Sequence, residues 1–155
     1  MVSNSTLLLA TVGRIKGLRN GPKLVGLNAS AYTFVRKLIF PTFYFHPVVA
    51  NKANMPPEED VMLVGQICAG DYVNPGNVKL QKVEPGDVVA IFDQGAYCQS
   101  ISTQYCAIPR PASIIVTEDS VDVITERESI AYMTMNDRIP ARYWKTNSLR
   151  TEAGK

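Results

Sequence analysis

Residues 93–111, DQGAYCQSISTQYCAIPRP, carry more chemically capable groups than a surface turn requires. A turn needs a glycine and an Asn or Asp, and little more. This segment adds two tyrosines, two cysteines and three aliphatic hydroxyls before a Pro-Arg-Pro sequence. Phenol, thiol and hydroxyl groups form hydrogen bonds, and a thiol can also hold or give a proton near neutral pH. The segment is therefore a candidate functional region.

The other residue types that commonly carry chemistry are few. The three cysteines, Cys68, Cys98 and Cys106, form neither an even set nor a Cys-x-x-Cys pair, which argues against a secreted disulfide framework. A reducing, cytoplasmic compartment fits this pattern better. The one histidine, His46, would have to build a zinc site or a Ser-His-Asp triad alone. We interpret it as a packing or hydrogen-bonding residue and predict no metal site.

The secondary-structure elements that must position these residues are predicted to be mainly β-strands. Short apolar runs rich in Val and Ile are bounded by Gly, Pro, Asn and Asp, which is typical of strands. Strands are predicted at residues 7–12, 23–27, 42–49, 60–64, 87–92, 112–116 and 121–126, a short turn or helix at 28–34, and a helix at 129–136. The predicted fold class is mainly β, a single compact β-sandwich or barrel-like sheet domain with one or two short helices.

Three local signals predict parts of that sheet. Pro85 and Gly86 suit the central positions of a type II turn, where Gly supplies the positive φ. Residues 88–92 are apolar at every position, which indicates a central strand covered on both faces. The polar segment 117–120 predicts a hairpin between the last two strands.

Length, composition and charge exclude several classes of protein. A chain of 155 residues, 46% hydrophobic and 19% charged, is typical of one soluble globular domain, predicted here over residues 1–155. The lysines and arginines are scattered until the last dozen residues, so no basic stripe predicts nucleic-acid binding. The start of the sequence has a four-residue apolar run and no basic leader, too little for a signal peptide or a membrane span.

Taken in order, the segments resemble the C-terminal sheet domain of the pyridoxal-phosphate-dependent decarboxylases of alanine-racemase fold type, which include diaminopimelate, ornithine and carboxynorspermidine decarboxylases. The resemblance runs over about residues 24–128. Its most specific element is EPGDVVAIFDQGAYCQSISTQYCAIPRPASIIV, similar to a family pattern of Pro-Gly-Asp turn, central strand, Asp-x-Gly-Ala-Tyr, Ser-rich segment, Tyr and Pro-Arg-Pro. GQICAGDYV resembles a Gly-Pro-x-Cys-x-x-x-Asp segment, and LVGLNASAYTFVRKLIFPTFY resembles the segment that holds a substrate-binding Arg.

The resemblance implies roles for three residues. Tyr97 would face the pyridoxal phosphate, and the small residues before it would let another domain approach closely. Cys68 would reach across a dimer interface and help protonate the decarboxylated intermediate, as a catalytic thiol. Arg36 would bind a substrate carboxylate through its planar guanidinium. Cys98 and Cys106 are interpreted as small buried residues.

Departures from the family pattern bear on the substrate. The acid that follows the family's cysteine and holds the distal amino group is replaced by Ala69, and the loop to Asp71 is one residue short. Either Asp71 takes over that substrate-binding role, or the substrate has no distal cation. Phe40 stands where the diaminopimelate enzymes tend to have Tyr. Together these departures favour an amino acid other than diaminopimelate.

The resemblance also implies a second structural part. The family's N-terminal α/β barrel supplies the Schiff-base lysine, the phosphate loop and an acid paired with the pyridine nitrogen, and none of these fits before Leu24. We therefore predict the C-terminal domain of a carboxy-lyase, inactive without the barrel. The predicted partners are that barrel, a second copy in a homodimer and a small amino-acid substrate. Residues 129–155 are predicted to form an extension that packs Tyr143 or Trp144 on the domain.

Two alternatives remain open from the sequence. A non-catalytic β-domain, acting as a partner-binding or regulatory module, would explain the loss of the acid at Ala69. The retained Tyr97 favours the enzyme, because a degenerate module would lose that residue as readily. A sheet domain of the alanine racemases is disfavoured by the Cys68 loop and the Pro-Arg-Pro segment.

Overall fold

The computed structural model describes residues 2–33, 35–40, 42–68, 70–74 and 76–143 of the chain. The chain divides into two compact units, the first ending at Arg110 and the second beginning at Pro111. Both contain β-structure, so the predicted mainly β fold is confirmed. No helix within the described ranges is long and apolar enough to cross a membrane.

The first unit contains a six-stranded sheet. Its strands are β1 (Leu8–Gly17), β2 (Lys23–Leu27), β3 (Pro47–Val49), β4 (Glu59–Val64), β5 (Val78–Leu80) and β6 (Val88–Ile91). They lie in the order β3-β6-β1-β2-β4-β5, and every neighbouring pair is antiparallel except β2 with β4. The buried amide of Val49, in the edge strand β3, donates to Oε1 of Gln81, which directly follows the opposite edge strand β5, at 3.1 Å. This bond brings the two edges together in a nearly closed barrel.

Alternation along the strands builds the core of this barrel. Side chains of successive strand residues point to opposite faces, so buried residues alternate with less buried ones along β4, β5 and the first half of β1. In β6, Val89, Ala90 and Ile91 are all buried, as predicted for a central strand. The largest fully buried side chains are Phe45, Leu63, Leu80, Ile91, Val12, Val25, Val49, Val61, Val73, Val83 and Val89.

Some predicted element boundaries were wrong. The strand predicted at 42–49 is confined to β3, because the Phe43 backbone is used elsewhere: its amide donates to the Phe40 carbonyl, and its own carbonyl accepts from Lys37 Nζ. Residues 30–33 form a turn, and a short helix α1 (Arg36–Ile39) follows. The turn is closed by side-chain oxygens of Ser30 and Thr33, which compete with helical hydrogen bonds.

The predicted type II turn before β6 is confirmed, and it carries an ion-pair network. Gly86 has φ 93°, and the Asp87 amide donates to the Glu84 carbonyl at 3.1 Å. The buried Asp87 carboxylate accepts from Lys52 Nζ at 2.7 Å, from Asn51 Nδ2 at 2.7 Å and from the Glu84 amide at 2.8 Å. Burial alone would raise the pKa of Asp87, but these three donors together lower it.

The lowered pKa of Asp87 predicts a specific acid sensitivity. A carboxyl whose pKa is lower in the folded chain stabilises the fold above its unfolded pKa, and that stabilisation is lost as the pH falls through the folded value. We expect the free energy of unfolding to decline from about pH 4 downward, because the unperturbed value is 3.8. Asp87→Asn should lower the free energy of unfolding by about 2 kcal/mol at pH 7 and flatten the acid limb. Urea titrations between pH 7 and pH 2 measure both effects, and an equally steep acid limb in the variant would contradict the assignment.

The second unit contains a hairpin and a helix. Strands β7 (Ser113–Val116) and β8 (Val121–Thr125) pair antiparallel, and Thr117 Oγ1 accepts from the Ser120 amide at 3.0 Å to close the predicted turn. Helix α2 (Ile130–Met133) begins after Ser129, whose Oγ accepts from the Tyr132 amide at 3.0 Å. Tyr143 is exposed and lies under the Arg142 guanidinium, and Trp144 lies outside the described residues. The packing role predicted for this extension stays a prediction.

Candidate functional site

The Gly-Ala-Tyr turn after β6 presents Tyr97 on the surface. Asp93 and Tyr97 both have positive φ values, 61° and 68°, a conformation that non-glycine residues rarely adopt. Tyr97 is 67% exposed, so its ring is available to another molecule. Such unusual backbone conformations are concentrated at functional sites. The turn therefore suits the contact role predicted for Tyr97.

Gly95 in this turn has a role within the chain itself. Its amide donates to the Ser3 carbonyl at 3.0 Å, and a Cβ at this position would overlap the Val2 carbonyl. We expected a small residue here because another domain would approach the backbone. In the structure, the N-terminal segment of the same chain lies against Gly95, and the approach of another domain stays a prediction.

Arg36 lies beside the same turn. Its Nη1 donates to the Ala96 carbonyl at 2.9 Å and to Ser3 Oγ at 3.4 Å, and its Cζ lies 3.6 Å from the centroid of the Phe43 ring. The Ala96 carbonyl directly precedes Tyr97. The candidate carboxylate-binding residue and the candidate cofactor-facing residue therefore belong to one surface, which we call the Arg36–Tyr97 patch.

The remaining predicted site residues lie in the loop after β4. The Gly65 amide donates to the Asp71 carbonyl at 2.7 Å and closes the loop. The Asp71 carboxylate accepts from the Ala31 amide at 2.6 Å and from the Ile67 amide at 3.2 Å, and the residue is only 6% exposed. Cys68 is exposed on this loop. The structure therefore brings Cys68 and Asp71 together and uses the Asp71 carboxylate to hold the backbone.

These bonds limit what Asp71 can do for a substrate. Both of its oxygens already accept backbone hydrogen bonds, and a Cβ at Gly65 would overlap the carboxylate. Binding a distal ammonium would have to compete with these bonds, so substrate binding by Asp71 stays a prediction.

The two cysteines interpreted as buried differ in the structure. Cys98 is buried, as predicted, and burial raises the pKa of its thiol despite the nearby Arg36 guanidinium. Cys106 is exposed, so that interpretation was wrong. It lies in a loop turn rather than a strand, with φ 57°, and the next residue, Ala107, has the same φ.

A tyrosine stack that the sequence analysis missed joins the two parts of the site. The Tyr32 and Tyr105 rings lie 4.4 Å apart and nearly parallel, and the Thr103 amide donates to the Tyr32 carbonyl at 3.1 Å. Tyr32 follows Ala31, whose amide binds Asp71. The stack and the Asp71 bond therefore anchor segment 103–105 and the Cys68 loop to the same turn at 30–33. Its members are far apart in sequence, and no local pattern signals their contact.

Metal-binding residues do not converge in the part of the chain that the structure describes. Within those ranges, no group of three or more His, Cys, Asp or Glu side chains is arranged to hold a metal ion. His46 is exposed and lies between two aromatic rings, with centroids 6.3 Å from Tyr44 and 6.2 Å from Phe92.

Comparison with known proteins gives one consistent relationship. The profile of the family described as "Pyridoxal-dependent decarboxylase, C-terminal sheet domain" matches residues 1–95, whereas we expected the resemblance to begin near residue 24. Diaminopimelate decarboxylases of Archaeoglobus fulgidus and Methanothermobacter thermautotrophicus are 38% and 33% identical over 90% and 94% of this chain. The solved diaminopimelate decarboxylase of M. jannaschii in complex with L-lysine is 30% identical over 90% of this chain, with a TM-score of 0.79.

The matches cover most of this chain but a much smaller share of each relative. The chain spans 33% of the length of each of the two curated relatives and 31% of the solved structure. The similarity in sequence and fold extends over most of this chain and about a third of each relative. The chain belongs to the C-terminal sheet domain family of the pyridoxal-dependent decarboxylases.

Proposed function

We propose that this chain is the C-terminal domain of a pyridoxal-phosphate-dependent amino-acid decarboxylase and completes composite active sites at a dimer interface. The observation that carries the proposal is the hydrogen bond from Arg36 to the Ala96 carbonyl, which holds the guanidinium proposed to bind the substrate carboxylate beside the exposed Tyr97. A barrel domain would supply the Schiff-base lysine and the phosphate loop. Alone, this chain is expected to be inactive.

The residues of the Arg36–Tyr97 patch fit contact with one side of the cofactor. Tyr97 offers an exposed ring on a fixed turn, which suits packing or hydrogen bonding against a planar group. When bound, pyridoxal phosphate supplies an electron sink for the carbanion left by loss of carbon dioxide. Arg36 would orient the substrate carboxylate, and the Cys68 thiol would hold the proton that is delivered to the reacting carbon.

Exposed apolar groups support the proposed partners. In the first unit, Tyr44 and Phe92 flank His46, and Leu9 points outward from β1. Large exposed apolar areas on a soluble protein commonly mark interaction surfaces. We therefore expect the chain to self-associate or to bind the barrel. Sedimentation of the purified chain at high concentration checks this, and a clean monomer would count against it.

The hairpin of the second unit leads to the same expectation. Every residue of β8 is exposed, including Val121, Val123 and Ile124. A two-stranded hairpin is at best marginally stable alone, so burial against a partner would stabilise it.

The substrate is proposed to be an amino acid without a distal cation. Ala69 removes the expected acid, and the Asp71 carboxylate is held by two backbone amides. A buried, bonded carboxylate exchanges partners only at a cost. If Asp71 does bind a distal ammonium, substrates such as diaminopimelate would be preferred.

A hybrid enzyme tests the proposal. The part of the Archaeoglobus diaminopimelate decarboxylase that precedes the matched region would be joined to this chain, and carbon dioxide release would be measured with a panel of cationic, neutral and acidic amino acids. We expect release with at least one substrate and a loss of about 100-fold in Arg36→Gln. Arg138→Gln is the matched control, because that arginine lies on the surface and donates to the nearby backbone carbonyls of Met135 and Asp137.

The folded state of the hybrid decides how a negative result is interpreted. A folded dimer that binds cofactor but decarboxylates nothing would contradict the proposal. That outcome would favour the non-catalytic module instead.

A further inference from the structure

Two loops that are distant in sequence converge at one place on the surface. The loop after β4 carries Cys68, and the turn at Tyr105–Ala107 carries Cys106. The first loop is fixed through the Asp71 carboxylate to Ala31, and the second is fixed through the Tyr105 ring to Tyr32. Since Ala31 and Tyr32 are adjacent, the two loops that carry the cysteines are anchored to neighbouring residues.

The side chains of Cys68 and Cys106 neighbour each other, and both residues are exposed. Partial desolvation by the surrounding protein atoms raises the pKa of the Cys106 thiol, and the neighbouring Cys68 and Asp71 raise it further. Cys98 lies elsewhere and is buried.

We propose that Cys68 and Cys106 form a reversible intramolecular disulfide and constitute an oxidative modification site. The oxidant is of the class of low-molecular-weight disulfides. The geometry that carries the proposal is the convergence of two loops that bear exposed thiols, one fixed to Ala31 through Asp71 and the other fixed to Tyr32 through the tyrosine stack.

The chemistry is two successive thiol–disulfide exchanges. The Cys68 thiolate attacks one sulfur of the oxidant, the sulfur–sulfur bond of the oxidant breaks, and one small thiol leaves with a proton. Cys106 then attacks the Cys68 sulfur of the mixed disulfide, and the second small thiol leaves. The two cysteines are oxidised and one small disulfide is reduced to two thiols.

Oxidation would remove the Cys68 thiol from decarboxylation. This consequence rests on the proposed function, whereas formation of the disulfide does not. A thiol committed to a disulfide can neither hold nor give a proton, so activity would be lost on oxidation and restored by a dithiol reductant.

The test uses the full chain, reduced and then incubated with oxidised glutathione. Free thiols are alkylated under denaturing conditions and the peptides are mapped. We expect alkylation to fall from three thiols to the one of Cys98, with a linked peptide pair containing Cys68 and Cys106. In Cys106→Ser, a glutathione adduct on Cys68 should accumulate at least about tenfold above that of the unmodified chain, because the intramolecular step is removed. Cys106→Ala repeats the test if the serine variant folds poorly.

Cys98→Ser is the control and should retain the linked pair. Three alkylatable thiols after incubation, links only between separate chains, or equal adduct in the Cys106 variants and the unmodified chain would overturn the proposal. The hybrid enzyme separates the two proposals: a linked pair with unchanged decarboxylation would keep the disulfide and contradict the proton-transfer role of Cys68.

Discussion

Replacing Asp71 by alanine is expected to lower the free energy of unfolding by about 3 kcal/mol. The substitution removes two charge-assisted hydrogen bonds, to the amides of Ala31 and Ile67, and leaves the buried Ala31 amide without its acceptor. It also releases the Cys68 loop from segment 30–33. Equilibrium unfolding in urea at pH 7 measures the difference.

Asp60→Ala is the matched control for this substitution. Its carboxylate is exposed and lies 3.9 Å from Lys79 Nζ, an arrangement that contributes little to stability. We expect a change below about 0.5 kcal/mol. An Asp71→Ala variant as stable as Asp60→Ala would show that the buried carboxylate does not anchor the loop, and would leave it available for a substrate.

Replacing Cys68 by alanine in the hybrid enzyme is expected to lower kcat about 100-fold with little change in KM. The reason is that a positioned proton donor acts mainly in the transition state, whereas the substrate carboxylate is bound by Arg36. Steady-state carbon dioxide release under reducing conditions measures both constants.

The neighbouring thiol provides the control. Cys106→Ser should leave kcat within about threefold under the same reducing conditions, because its predicted role is confined to oxidation. A Cys68→Ala hybrid with unchanged kcat, or a change confined to KM, would contradict the assignment of proton transfer.

The strands and tight turns could be predicted because their signals are local. Periodic apolar residues identified β2 and β4 within one residue at either end, and Pro85-Gly86 identified the turn before β6. Strand β5 was missed because its three residues, VKL, are too few to show a period. The strand at 42–46 was overpredicted because the Lys37 and Phe40 contacts that occupy the Phe43 backbone are tertiary.

The candidate site was predicted by residue type and not by arrangement. The resemblance suggested Arg36, Tyr97, Cys68 and Asp71 as site residues, and these roles stay predictions. The sequence carries no sign that Asp71 binds backbone amides or that Arg36 reaches the Ala96 carbonyl. The exposed Cys106 lies in a turn in which both it and Ala107 have left-handed backbone conformations. Neither position is a glycine, so the sequence gives no local signal for this turn. Each of these features is set by contacts between residues that are far apart in the chain.

The most direct test of the central claim is reduction with borohydride in the presence of pyridoxal phosphate, followed by intact mass and peptide mapping. The purified chain alone should show no single stoichiometric lysine adduct. Lys23 is paired with Glu59, and Lys37 is buried and donates to the Phe43 carbonyl, although burial lowers the pKa of its ammonium. In the hybrid, one adduct should form on a barrel lysine. A stoichiometric adduct on Lys23 or Lys37 of the chain alone would contradict the claim that this domain supplies only part of a shared site.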